Sequence, residues 1–467
     1  MTCNLKKSNI ESFFNSYYYI ASVALISYII WLLRFFVHGE SLYVTTFSLI
    51  LLLGIVFGSI LILFKNTVYT VPIALSLLFT IGIAGMNLET FSTTSLVIVG
   101  IAIATIILSI IAHLIIYKPS FKLNTFGISY ILVGVSFIIP FIYRGINSHN
   151  MIGFLGVIYL IIYLFYSNTI KKDNTNYLFR TLFILSLMLS FQLIACFIDN
   201  LSHFEGKRIS DALIFLLKGG TDPGWGNTND LTIHLTLFSA STIYYMYKYP
   251  KKYFPWLHLL FTSFVIVLSG ARGSMVTSVA LWLIILIITI RNRKLGSLKS
   301  LYITLGSIAI FLGIFYNFTY EVIESFIASL KGGTNQMLTG RLDLYELAIE
   351  AFKKYPIFGS GWGDLQPEWL GGGTRIIVYH STFFHALAIG GIFGILVLGY
   401  QLYATFKFLL KPTYLAKFVI LITYIVTQVH GLFDNTQYMV NYTLSTIIIF
   451  SILEAYDASK KTEESTL

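Results

Sequence analysis

Charge is scarce in this chain: Asp, Glu, Lys and Arg make up 11% of its 467 residues, against roughly 25% in an ordinary soluble domain. Too few polar side chains are present to cover a folded body of this size in water, which excludes a soluble globular enzyme. Cysteine is nearly absent. Cys3 stands near the N-terminus and Cys196 inside an apolar run, so no disulfide framework is expected, and neither falls in a metal-ligand spacing. Acidic residues number 21 against 31 basic ones. The resulting charge of +10 does not indicate nucleic acid, because most basic residues lie in short connections between apolar runs. No small-residue cleavage site follows the first apolar run behind Lys6 and Lys7, so that run is expected to remain as a first helix.

Apolar sequence is what the chain has in abundance, 56% of its residues with a mean hydropathy of +0.78. A bilayer-crossing helix takes about 20 such residues. Runs of this kind occur at 16–36, 43–64, 68–87, 93–117, 125–143, 150–168, 178–197, 229–247, 254–270, 273–290, 300–317, 381–405, 415–430 and 436–454. They predict an all-α, polytopic transmembrane bundle of about 14 spans, a single membrane domain over 1–467. With the N-terminus cytoplasmic, 20 of the 31 basic residues fall on the cytoplasmic side. The short external connections are then nearly free of positive charge, apart from Arg34 at a helix end, Arg144, and Arg272 at the boundary between two runs. A miscounted span would reverse this pattern downstream of it, so both termini are expected to be cytoplasmic.

Two external segments are longer than a simple turn, one over 198–228 and one over 318–380 between spans 11 and 12. Long ordered connections in a compact protein usually carry function. Within the second, "TGRLDLYELAIEAFKKYP" predicts an amphipathic helix over 340–355, with Leu344, Leu347, Ala348, Ala351 and Phe352 forming its stripe. That stripe can pack on the bundle or lie in the interface. Arg341 opens the helix, Lys353 and Lys354 sit in its last turn, and Pro356 ends it. The following "IFGSGWGDLQPEWLGGGTRIIVYHS" contains Gly359, Gly361 and Gly363, whose backbone N–H groups can receive an anion or simply form an irregular loop. Trp362 and Trp369 suit an interfacial position, and Trp225 or Trp362 could line a binding groove. His380 stands where the segment meets the next span, able to exchange a proton or to cap the helix. His385 reads as a packing or hydrogen-bonded residue. Arg272, in "VLSGARGSMVTSVALW", lies between two apolar runs at the external boundary, where an arginine is costly unless it snorkels or serves a site.

The run "TGRLDLYELAIEAFKKYPIFGSGWG" followed by "YHSTFFHALAIGGIFGIL" resembles the C-terminal signature of the O-antigen polymerase and O-antigen ligase superfamily. "SGARGSM" is similar to that family's Ser–Arg–Gly element, and "GWGNTND", with Asn227, to its Gly–x–x–Asn segment. The likeness spans about 224–400. Two positions depart from it: Ser381 stands where asparagine usually follows the histidine, and Gly390 where a glutamate is common. The resemblance implies an enzyme of the bacterial cytoplasmic membrane, acting at the external face on glycans carried by undecaprenyl pyrophosphate. It implies functional roles for His380, Arg341 and Arg272; Gly361, Trp362 and Asn227 are further candidate substrate contacts, and Lys207 and Arg208, which match no family residue, could supply another phosphate contact from the first long segment. Membrane lipids surround such a protein, and a polysaccharide flippase and a chain-length regulator are the partners implied.

The chemistry agrees with these residue types. A sugar on lipid pyrophosphate is already activated, so neither nucleotide, metal nor cofactor is called for. Arginine forks suit the departing pyrophosphate, and His380 suits the acceptor hydroxyl, with Asp343, Glu346 and Asp364 as rival bases. Direct attack at the anomeric carbon would invert the linkage. A polymerase and a ligase share this donor chemistry, and the polymerase is favoured on general likeness. A transporter or flippase would place charges at mid-membrane, whereas the notable charges here gather at the external edge.

Overall fold

The computed structural model describes residues 9–81, 92–145, 150–171, 173–202, 222–291, 340–362, 364–365, 374–375, 377–411 and 414–465, with scattered positions between 299 and 320. The described chain is helical throughout, apart from a two-residue antiparallel ladder, β1 (Asp364–Leu365) with β2 (Thr374–Arg375). The helices are α1 (Tyr17–Leu32), α2 (Glu40–Leu63), α3 (Val71–Leu77), α4 (Thr93–Tyr117), α5 (Gly127–Ile138), α6 (Phe141–Arg144), α7 (Leu155–Thr169) and α8 (Thr175–Ser202). After α8 come α9 (Thr228–Phe238), α10 (Ala240–Lys248), α11 (Phe254–Leu268) and α12 (Arg272–Arg291). The C-terminal part holds α13 (Arg341–Lys354), α14 (Thr382–Leu410), α15 (Leu415–His430) and α16 (Val440–Ser465).

Eight of the fourteen expected spans contain helices that are long and apolar enough on their own to cross a membrane. The others differ for identifiable reasons. The runs at 254–270 and 415–430 form shorter apolar helices, and 68–87 yields only the short stretch 67–77 among the described residues. The run at 229–247 is divided at Ser239, whose hydroxyl bonds back to the Leu235 carbonyl at 2.8 Å. Most of 300–317 lies outside the described residues, and 436–454 opens with a turn of 3-10 helix over Thr436–Tyr438.

α9 is the centre of the bundle, packed against α8, α12 and α15, with Leu231 through Phe238 all buried. Such a helix can be apolar all round because protein covers every side. Its hydroxyls still need partners, and they find them within the bundle: Thr232 bonds the Thr228 carbonyl and Thr236 the Thr232 carbonyl. α14 packs on α5, α13 and α15, which brings α13 and the C-terminal helices together at one place.

Candidate functional site

The expected amphipathic helix forms as α13 and lays its stripe on α14. Ala348 and Ala351 are buried, and Leu344 and Leu347 pack against the core. Tyr345 stacks on Phe384 with ring centroids 4.3 Å apart, and its hydroxyl donates to the His380 carbonyl at 3.3 Å. Packing on the bundle is therefore the outcome of the two placements open to this stripe.

Two of the three glycines in the turn after α13 have their N–H groups bonded within the fold, and Gly363 lies outside the described residues. Gly359 N–H donates to the Tyr355 carbonyl at 3.0 Å and Gly361 N–H to the Ile389 carbonyl at 3.1 Å, so both are already engaged. The turn locks into a break in α14. Gly391 has φ +59°, a conformation that L side chains rarely adopt, and the helix ladder opens there. The carbonyls of Ala388 and Ile389 accept from Ser360 N–H (2.7 Å) and Gly361 N–H. In return, Ile392 and Phe393 N–H donate to Pro356 and Ile357 at 2.9 and 3.0 Å. A Cβ on Gly359 would stand 2.2 Å from the Ile389 carbonyl carbon, and one on Gly391 would stand 2.6 Å from the Pro356 oxygen. Tyr143 donates to the Gly359 carbonyl, and Arg144 donates to the Tyr355 hydroxyl at 2.8 Å, which ties the C-terminal end of α6 to the same clip.

Trp362 is turned inward rather than toward a groove. It is 8% exposed and packs on Phe137, His385 and Tyr438. Trp225 is buried too, its Nε1 donating to Gln192 Oε1 at 3.0 Å. Both rings are thus buried, and the Gly361 N–H is bonded within the fold.

His380 lies on the surface of this assembly with a buried carboxylate behind it. Its Nδ1 is 3.3 Å from Asp434 Oδ1, with the His380 side chain 31% exposed and that of Asp434 2% exposed. A carboxylate only accepts, so Nδ1–H is the donor, which in the neutral imidazole leaves the lone pair on Nε2. His380 also has φ +46°, a left-handed backbone rarely taken by residues other than glycine. Asp434 sits in the connection 431–435 between α15 and α16, where its Oδ1 also accepts from Asn435 N–H at 2.9 Å. Its Oδ2 is buried with no hydrogen-bond partner among the described residues. Burial alone would push the carboxyl's proton affinity up. The hydrogen bond and charge of His380, the charge of His430 and the Asn435 N–H outweigh it and hold Asp434 below the ordinary carboxylate range.

The other elements converge around this pair. The Arg341 side chain forms no hydrogen bond or ion pair with another described residue, and it lies within electrostatic reach of Tyr345 and His430. The His430 ring abuts Gly273, with Nδ1 3.4 Å from Ser274 Oγ, which sets the start of α12 beside the end of α15. Arg272 is the first residue of α12. The turn before it is tight, as expected: Gly270 has φ +67° and Ser269 Oγ accepts from Ala271 N–H at 3.1 Å. Asn227 is the N-cap of α9, its side chain accepting from Asp230 N–H at 3.1 Å while Asp230 Oδ2 accepts from Asn227 N–H at 2.9 Å. Asp230 in turn is within electrostatic reach of Asp434 and His380. Lys207 and Arg208 lie outside the described residues.

Asp434 is the residue that sequence reasoning missed. The rival bases Asp343 and Glu346 are exposed on α13, and neither is His380's partner. A signal was present: Asp434 is the sole acidic residue between Glu368 and Glu454, and it stands in a short connection between apolar runs.

A family model described as O-antigen ligase matches residues 257–399. That stretch runs from within α11 to within α14 and takes in Arg272, Arg341, His380 and both halves of the glycine clip, while Asn227 and Asp434 lie beyond it. A comparison with curated proteins found no match. The match over residues 257–399 supports the likeness of the motifs within that stretch to the O-antigen polymerase and ligase superfamily.

Proposed function

We propose that this membrane protein is an inverting glycosyltransferase that works at the external membrane face and takes its glycan from undecaprenyl pyrophosphate. In this reading the acceptor hydroxyl attacks the anomeric carbon of the donor as the bond from that carbon to the phosphate oxygen breaks. The pyrophosphate leaves with the bonding electrons, and the hydroxyl proton passes to His380 Nε2. Arg341 and Arg272 hold the departing pyrophosphate, where fixed positive charge stabilises the transition state more than the ground state. Asp434 holds the His380 ring and favours the imidazolium as it forms.

The observation that carries this reading is the exposed His380 backed by the buried Asp434, with Arg341 opening the adjoining helix. All the residues invoked fall on one side in a topology of fourteen spans with both termini cytoplasmic, which belongs to the proposal. The acceptor separates polymerase from ligase, and we favour a second lipid-linked repeat unit, as in a polymerase of O-antigen, capsule or exopolysaccharide. The test is transfer by the purified full-length chain in liposomes containing a pyrophosphate-linked oligosaccharide. Wild type is expected to build a ladder of repeats, and Arg341→Ala and His380→Ala are expected to abolish it. Transfer only when lipid A–core is added would reassign the protein as a ligase, and undiminished ladders from both variants would overturn the site.

A further inference from the structure

Beneath the His380–Asp434 pair lies a second polar layer that the proposed chemistry leaves unused. Its centre is Asn435, which is 5% exposed. Its Oδ1 accepts from Ser381 N–H at 2.9 Å, and its Nδ2 lies 3.3 Å from His385 Nδ1. A backbone N–H can only donate, so the amide oxygen must face Ser381 and the NH2 must face His385. It follows that His385 Nδ1 accepts and its Nε2 carries the proton. The backbone N–H of Asn435 is the one that grips Asp434 Oδ1. One residue therefore touches both members of the pair: the carboxylate directly, and His380 through the adjoining Ser381. Two further bonds fix the register of this connection against α14, with Thr382 N–H shared between the carbonyls of Gly431 (2.8 Å) and Asp434 (2.9 Å).

We propose that Asn435, anchored by the buried His385, is a positioning residue that holds Asp434 and the left-handed His380 in register with each other. This inference rests on the role given to His380 above. It accounts for a buried, polar His385 in a ring of aromatic side chains, Trp362, Tyr379 and Tyr438, where an apolar side chain would pack without cost. His385 supplies the acceptor that turns the Asn435 amide the right way round. Asn435→Ala removes both arms of that amide. A misplacement of about 1 Å costs on the order of a hundredfold in rate, so a loss of that size is expected in kcat, with KM for the lipid-linked donor little changed.

The decisive comparison is His385→Phe against His385→Asn in the same liposome transfer assay. Phe keeps the ring and loses the acceptor, whereas Asn loses the ring and presents an oxygen near the position of Nδ1. If His385 acts as the acceptor, Phe lowers kcat roughly tenfold, the worth of one such bond, and Asn stays closer to wild type. The reverse order, with Phe active and Asn impaired, would make His385 a packing residue and overturn the proposal. So would an effect of Asn435→Ala confined to KM. His380→Ala serves as the separate control: if it transfers normally, the functional reading itself fails, and if it is inactive while His385→Phe is normal, only the positioning role fails.

Discussion

Replacing Asp434 with Asn tests the electrostatic half of the site without changing its shape. The wild-type contact to His380 is 3.3 Å long and the ring is partly exposed, so the low end of the range for a hydrogen bond to a charged group applies, about 1.5 kcal/mol. At 1.4 kcal/mol per tenfold, kcat should fall roughly tenfold. The amide has two orientations, and the structure selects one. Asn435 N–H donates to the Oδ1 position, which requires the amide oxygen there and sends the new NH2 to the buried Oδ2 position. His380 Nδ1–H therefore keeps an acceptor and Nε2 keeps its lone pair. A reversed amide would instead present a donor to Nδ1, force the other tautomer and remove the base, with losses on the order of ten-thousandfold. The assay is steady-state transfer by the purified chain, with folded protein quantified by size-exclusion. A kcat within twofold of wild type would refute the idea that the carboxylate supports His380, and a loss beyond about a thousandfold would refute the orientation deduced for the amide.

The same carboxyl makes an acid-stability prediction. Because Asp434 in the folded protein is held below its ordinary value, its contribution is fully present above about pH 4 and is lost as pH falls through the lower folded value. Thermal unfolding in detergent should therefore show wild type losing an advantage over Asp434→Asn as the solution is acidified, and a gap that widens instead would contradict the assignment. Gly359→Ala should destabilise the protein by roughly 2–4 kcal/mol, combining a left-handed backbone cost with overpacking against a carbonyl that cannot move aside. An unchanged melting temperature would mean that the clip yields. Away from the site, the fully buried Lys417 donates to the Phe408 and Lys411 carbonyls at 3.0 Å and pairs with Asp457. Lys417→Ala should cost about 3 kcal/mol by stranding these groups, with Lys417→Met recovering little, and a neutral result by the same melting assay would show that water replaces the ammonium.

The parts of this protein that were legible in its sequence are those that local pattern determines. Apolar runs longer than a bilayer is thick gave the helices, and the spacing of Leu344, Leu347, Ala348 and Ala351 gave α13 its packed face. The turn before Arg272 was legible because Ser269 and Gly270 bond and bend locally. What local pattern cannot contain is which distant segments meet. Asp434 reaches His380 across 54 residues, and its neighbours in sequence are apolar span ends that give no hint of a partner. The glycines misled for a related reason. A run such as Gly359–Ser360–Gly361 looks the same whether its N–H groups are free for an anion or bonded to a broken helix, and only the left-handed Gly391, thirty residues on, distinguishes the cases. Trp362 shows that an aromatic in an external segment can equally be the plug of a core.

The interlock also explains why these motifs occur together and in this order. Both α13 and the first part of α14 run toward the clip in the N-to-C direction, one ending at Pro356 to Gly361 and the other at Gly391. At about 1.5 Å per residue, the clip fixes Arg341 about 21 Å back along one arm and Thr382 about 14 Å back along the other. Tyr345 joins the two arms near their far ends through the Phe384 ring and the His380 carbonyl, and Arg341 lies one turn beyond it. A charge-bearing arm and a proton-accepting arm are thereby measured from one shared joint, with glycines used where two backbones must touch. Substitution at the joint and substitution at Arg341 or His380 should then fail differently: the first loosens both arms and lowers stability, while the second leaves a well-folded protein that cannot transfer.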